Sequence, residues 1–150
     1  GRNPGAVDEV EQFERFALLA EEAVRQGVVL AQENVVHYRS QSPDFLERMK
    51  EHIGSLFRFV LDIKQARRAG YSPFDFSVPL AESLVHVHVS DFNSVSDCLP
   101  PGEGGFDFAA FFAALAAGGY AGDHIIEVYR GDFEDDAQLT ASADYLKKLL

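Results

Sequence analysis

Apolar positions recur along this chain with two different periods, and their alternation predicts its architecture. Over residues 8–26, Val10, Phe13, Ala17, Ala20 and Val24 fall three or four apart. Acidic residues crowd the first turn and Gly27 follows as a C-cap, which together predict an amphipathic helix. Val28-Val29-Leu30-Ala31-Gln32-Glu33-Asn34 is a short apolar run ending in polar residues, the pattern of a buried strand. A second helix is predicted from Ser42 as N-cap and Pro43 at the first helical position, stopping near Gly54. The run 56–62 predicts a second strand, 64–69 a short helix closed by Gly70, and 73–80 a further turn or two. Residues 84–91 predict a third strand, 107–118 a strongly apolar helix after a Pro/Gly-rich loop, 124–130 a fourth strand, and 136–150 a closing helix.

Strands separated by helical segments imply βαβ units, a parallel sheet and right-handed crossovers, hence an α/β chain read as one domain over 1–150. In such sheets functional side chains gather at the carboxyl ends of the strands. Glu33, Asp62, His88 and Glu127 each lie near the end of one predicted strand. Side-chain alternation assigns them a common face. Phe57, Phe59 and Leu61 turn to the helices while Arg58, Val60 and Asp62 turn away. Val85, Val87 and Val89 turn to the helices, leaving Leu84, His86, His88 and Ser90 opposite. In the fourth strand Ile125 and Tyr129 share the face of Glu127. Two Glu, one Asp and one His form a hard, oxygen-rich donor set suited to a divalent ion, Mn²⁺ foremost, with Mg²⁺, Co²⁺ or Zn²⁺ compatible. Three carboxylates in one desolvated site repel one another unless a cation is present.

Charge and composition narrow the partners. The balance of 13 Lys+Arg against 24 Asp+Glu, a formal charge of −11, disfavours a grip on nucleic acid. One cysteine, Cys98, excludes an intramolecular disulfide and a cysteine-rich zinc site. No apolar run reaches the roughly 20 residues that cross a bilayer, and no signal-peptide pattern opens the chain, so no membrane partner and a cytoplasmic location are expected. An eight-fold βα barrel needs about 250 residues. This chain has 150.

Five motifs in order nevertheless carry a resemblance to such barrels. They are Val29-Leu30-Ala31-Gln32-Glu33-Asn34, then Phe59-Val60-Leu61-Asp62-Ile63-Lys64-Gln65-Ala66 with Ala69-Gly70, then His86-Val87-His88-Val89-Ser90-Asp91. Leu99-Pro100-Pro101-Gly102-Glu103-Gly104 with Phe106-Asp107-Phe108 follows, and then Gly119-Tyr120-Ala121-Gly122 leading into Ile126-Glu127-Val128-Tyr129-Arg130. The sequence resembles the xylose isomerase-like superfamily, which includes the sugar phosphate isomerases/epimerases and the endonuclease IV-type barrels. The resemblance implies half of a (βα)₈ TIM barrel, four parallel strands alternating with helices, corresponding to strands five to eight. It implies a single metal held by Glu33, Asp62, His88 and Glu127, with Glu33 and Glu127 as the catalytic acid/base pair that removes and returns a proton beside a carbonyl. The implied substrate is a small sugar or sugar phosphate. The family often carries His three residues after the strand Asp as a substrate contact; here Gln65 stands there and cannot titrate. The endonuclease branch needs further ligands that this sequence does not display.

Other polar residues keep two readings. His86 is a substrate contact or a packed core histidine. Asp91 orients a ligand or caps the following loop. Glu103 touches substrate or belongs to a glycine-rich turn. Asn34, His37 and Arg130 lie just beyond strand ends, where substrate contacts are common. Phe108, Phe111, Phe112 and Leu115 read as core, and Cys98 as inert. Four strands with open edges call for a partner, either a second copy in a homodimer or an N-terminal half-barrel. The functional expectation is a metal-dependent isomerase/epimerase or its metal-bearing half. The alternatives are a non-catalytic half-barrel module and a dehydratase acting on a cyclic polyol.

Overall fold

Local capping signals start the helices where the sequence places them. In the computed structural model, which describes residues 8–150, helix α1 spans Glu9–Arg25, α2 Pro43–Ile53 and α3 Ile63–Arg68. Helix α4 spans Phe74–Ser77, α5 Phe108–Ala117 and α6 Asp136–Lys147. The side chains of Ser42, Asp62, Asp107 and Asp135 each accept a backbone N–H from the first turn of α2, α3, α5 and α6 respectively. Gly54 ends α2 at φ +67°, a left-handed conformation that a side chain would strain.

Strands β1 (Gln32–Glu33), β2 (Phe59–Asp62), β3 (Leu84–Val89) and β4 (Asp123–Ile126) form one parallel sheet in the order β1-β2-β3-β4. Sequential strands lie side by side because each connection crosses over through helix and returns to the adjacent edge, the winding of a βα barrel. Helices cover one face. Phe57, Phe59, Leu61, Val87 and Val89 meet Phe45, Leu46 and Met49 from α2 and Phe108, Phe111, Phe112 and Leu115 from α5 in a single buried cluster. Each such side chain contributes roughly 1.5–3 kcal/mol of burial.

The structure departs from the sequence reading at several points. The first strand shrinks from 28–34 to two residues, and Val28 and Val29 are exposed. By the register of β1 and β2 the residues opposite them fall in the 3₁₀ turn Gly54–Leu56, so Val28 and Val29 lack an extended partner. Leu84, expected on the inner face, joins the helix-side core. The register explains it: Phe59 pairs with Leu84 but Val60 pairs with His86, so Val85 is an extra residue in β3 that shifts Leu84 to the other face. In α1 only Phe13 and Ala20 are buried, whereas Val10 and Val24 are exposed.

Candidate metal centre at the strand ends

Strand register places the four acidic and histidine side chains on one face. Glu33 pairs with Val60, Asp62 with His88, and His88 with Ile125. Asp62 is two residues beyond Val60 and Glu127 two beyond Ile125, so each step along a strand is even and all four side chains point to the same side. They climb diagonally across the sheet, as the stagger of a barrel requires. Glu127 lies just past β4, its backbone N–H still donating to the Val89 carbonyl.

One ligand atom from each of Glu33, Asp62, His88 and Glu127 falls within 4.8 Å of every other. His88 Nδ1 faces the remaining three, 2.7 Å from Glu127 Oε2, 3.2 Å from Glu33 Oε1 and 3.7 Å from Asp62 Oδ2. Asp62 is fixed on three sides. Its Oδ1 accepts the Gln65 backbone N–H, capping α3, while its own backbone N–H and C=O are bonded by the Asn34 carboxamide. Oδ2 is the oxygen that remains for a cation. Three carboxylate oxygens and an imidazole nitrogen at this spacing fit a divalent ion of the hard or borderline class.

The electrostatics are those of a crowded anionic site. Burial opposes ionisation of Asp62, but hydrogen bonds with His88, Glu127 and Lys64 outweigh it and hold the carboxyl down at about 2. Hydrogen bonds to Asp62 and Glu33 push His88 up to about 10 despite its partial burial. Burial and the neighbouring Asp62 raise Glu127 above the usual carboxylate range.

The other candidates are placed around this centre in different ways. His86 stacks on His88 with ring centroids 5.0 Å apart, and burial followed by the neighbouring His88 lowers its pKa. Asn34 is buried and spends its carboxamide on the Asp62 backbone. The carboxamide oxygen of Gln65 accepts the Val36 N–H, which leaves its NH₂ end for a hydroxyl. Arg130 donates to the carbonyls of Phe133 and Glu134 and covers the Phe133 ring, and Glu103 accepts from Gln138 of α6. His37 sits at φ +69° in the turn after β1, where Gln41 accepts its backbone N–H. Burial raises the Cys98 thiol to about 11, an unreactive state.

Lys64 escaped the sequence reading, and Tyr129, placed on the face of Glu127, proves to be its neighbour. Lys64 is buried with its Nζ 2.6 Å from Asp62 Oδ2 and 3.0 Å from Glu127 Oε2. Tyr129 lies over it, ring centroid 5.5 Å from Nζ, and its hydroxyl accepts from Arg68. A signal for Lys64 existed, since a cation in the first turn of a helix runs against the helix dipole and needs an anion to hold it.

Comparison with known proteins agrees with this fold. The sequence matches the xylose isomerase-like TIM barrel model over residues 2–149. The chain belongs to the xylose isomerase-like TIM barrel family. Among solved structures of similar fold is D-psicose 3-epimerase from Clostridium cellulolyticum H10, with TM-score 0.78 and 18% identity over 97% of this chain and 58% of that one. Another is a probable 3-DHS dehydratase from Bacillus anthracis, with TM-score 0.74 and 14% identity over 92% and 56%. A third is the IOLI protein with a binding zinc atom, with TM-score 0.71 and 16% identity over 97% and 57%. The chain thus spans a little more than half the length of these relatives, which matches a half-barrel of this family. Comparison with curated protein sequences gives no match. Among the described residues no helix is long and apolar enough to cross a membrane.

Proposed function

We propose that this xylose isomerase-like chain is the metal-bearing half of a sugar or sugar-phosphate isomerase/epimerase, corresponding to strands five to eight of the barrel as one domain. One observation carries the reading: four ligand groups from four successive strand ends converge within 4.8 Å, with a glutamate at each flank. Glu33, Asp62, His88 and Glu127 would hold a divalent ion, Mn²⁺ first among the candidates. When bound, the ion supplies positive charge that polarises a carbonyl and offsets negative charge on the sugar oxygens. Glu33 and Glu127 come from the two outer strands and serve as the acid/base pair. One takes the proton from the carbon next to the carbonyl and the other returns it to the opposite face. Glu127 suits proton return, because burial and Asp62 raise its pKa. The Gln65 NH₂ and the His86 ring, with Asn34, Arg130 and Glu103, are the remaining candidates for holding sugar hydroxyls or the site's shape. A second copy or an N-terminal half-barrel would supply the remaining strands and close the pocket.

Deuterium exchange tests the assignment. Protein loaded with Mn²⁺ and offered a panel of ketoses in D₂O is expected to label the carbon beside the carbonyl, and Glu33→Gln, which removes the proton-abstracting carboxylate, to abolish the labelling. Metal binding without exchange on any ketose favours a non-catalytic half-barrel module. The fold shared with a probable dehydratase supports a third outcome, loss of water from a polyol using the same base.

A further inference from the structure

Lys64 stands inside the candidate metal centre without belonging to its four ligand groups. Its side chain is 2% exposed, and its ammonium holds two of the oxygens that a divalent ion would use. Asp62 Oδ1 is committed to the α3 cap, so Oδ2 is the available ligand atom, and Lys64 sits 2.6 Å from it. Glu127 Oε2 is shared between Lys64 at 3.0 Å and His88 at 2.7 Å. The placement is built in, since Lys64 lies two residues beyond Asp62 in the first turn of α3, beneath the Tyr129 ring. A cation buried against two carboxylates neutralises the repulsion that a metal would otherwise have to remove.

We propose that Lys64 is a positioning residue that acts as the resident cation of this centre. It holds Asp62 and Glu127 in ligand position when no metal is bound, and it sets metal affinity by competing for the same two oxygens. Metal loading is then an exchange, in which the divalent ion takes the oxygens and the ammonium gives them up. This inference rests on the metal-site reading proposed above. A salt bridge that only braced the fold would stabilise the protein but leave metal affinity unchanged or improve it.

The test uses EDTA-treated protein titrated with MnCl₂ in a calorimeter, together with thermal unfolding without metal. Lys64→Met, which keeps the length and removes the charge, is expected to bind Mn²⁺ about tenfold more tightly than the parent. Its metal-free melting temperature is expected to fall and Mn²⁺ to restore it. Wild-type protein supplies a second measurement that needs no variant. Reductive methylation of Lys64, followed by mass spectrometry, is expected to be slow without metal and faster once Mn²⁺ is added. Equal or weaker Mn²⁺ affinity in Lys64→Met, or methylation indifferent to Mn²⁺, overturns the role of Lys64 and leaves the metal site standing. Absence of Mn²⁺ binding in both proteins overturns the metal-site reading and this inference with it.

Discussion

Asp62 does three jobs with one carboxylate. Oδ1 caps α3, Oδ2 faces the metal position, and the charge balances Lys64 and His88. An amide in its place keeps the cap acceptor but not the charge, so Asp62→Asn is expected to cost about 3 kcal/mol in denaturant unfolding of the metal-free protein. Ionisation makes that stability pH-dependent. The Asp62 pKa is lowered to about 2, so its contribution is present above pH ~4 and is lost as pH falls through 2. The His88 pKa is raised to about 10, so its contribution is complete below pH ~6.5 and is lost as pH rises toward 10. Metal-free protein should therefore be most stable between these limits, as urea unfolding across pH would record. A metal ligand must be neutral imidazole, so binding expels the His88 proton. Mn²⁺ affinity is expected to climb roughly tenfold per pH unit between pH 6.5 and 8.5, and a flat calorimetric profile would contradict a protonated His88.

At the scale of elements, the loop after β3 is organised by a single residue. Asp91 is 2% exposed and accepts backbone N–H groups from Phe92 and Phe106 on Oδ1 and from Gly102 and Gly104 on Oδ2. Its backbone also forms an antiparallel bridge with Leu99. Of the two roles the sequence left open for Asp91, the loop cap is the one these bonds describe. Asp91→Ala strands several N–H groups at once and is expected to lower stability by about 2–4 kcal/mol. Gly104 belongs to the same device. A Cβ there would lie 2.3 Å from Asp91 Oδ1 and 2.4 Å from the Phe92 carbonyl, so Gly104→Ala should lower the melting temperature comparably, whereas Gly105→Ala, which meets nothing within 4 Å, should not. Helix limits were legible because Ser42, Gly54, Gly70, Asp107 and Asp135 act through local backbone bonds. Strand limits were not, because a strand ends where its neighbour stops. The 3₁₀ turn at Gly54–Leu56 ends β1 from across the sheet, and Val85 flips Leu84 by an extra residue that no alternation reveals.

Across the whole molecule, the strand order β1-β2-β3-β4 leaves β1 and β4 as edges among the described residues, and Ile125 on the site's face is 43% exposed. A half-barrel with open edges and an uncovered apolar side chain should associate. Sedimentation at micromolar concentration is expected to find a dimer, or a complex once a first half-barrel is supplied. Ile125→Asp should weaken that association with little change in melting temperature, and a clean monomer would count against it. Much of this was determined by the sequence alone. Alternation of periods fixes the α/β class and chain order, and carboxylates or histidine at even offsets on successive strands place Glu33, Asp62, His88 and Glu127 on one face, because side-chain direction along a strand is local. The tertiary structure decided what depends on neighbours distant in the chain. It set the short β1, the bulge that buries Leu84, and above all the contact of Lys64 with Glu127, 63 residues farther along the chain. A lysine on a six-residue helix reads as a surface charge, and only folding, by desolvating it against two carboxylates, makes it part of the centre.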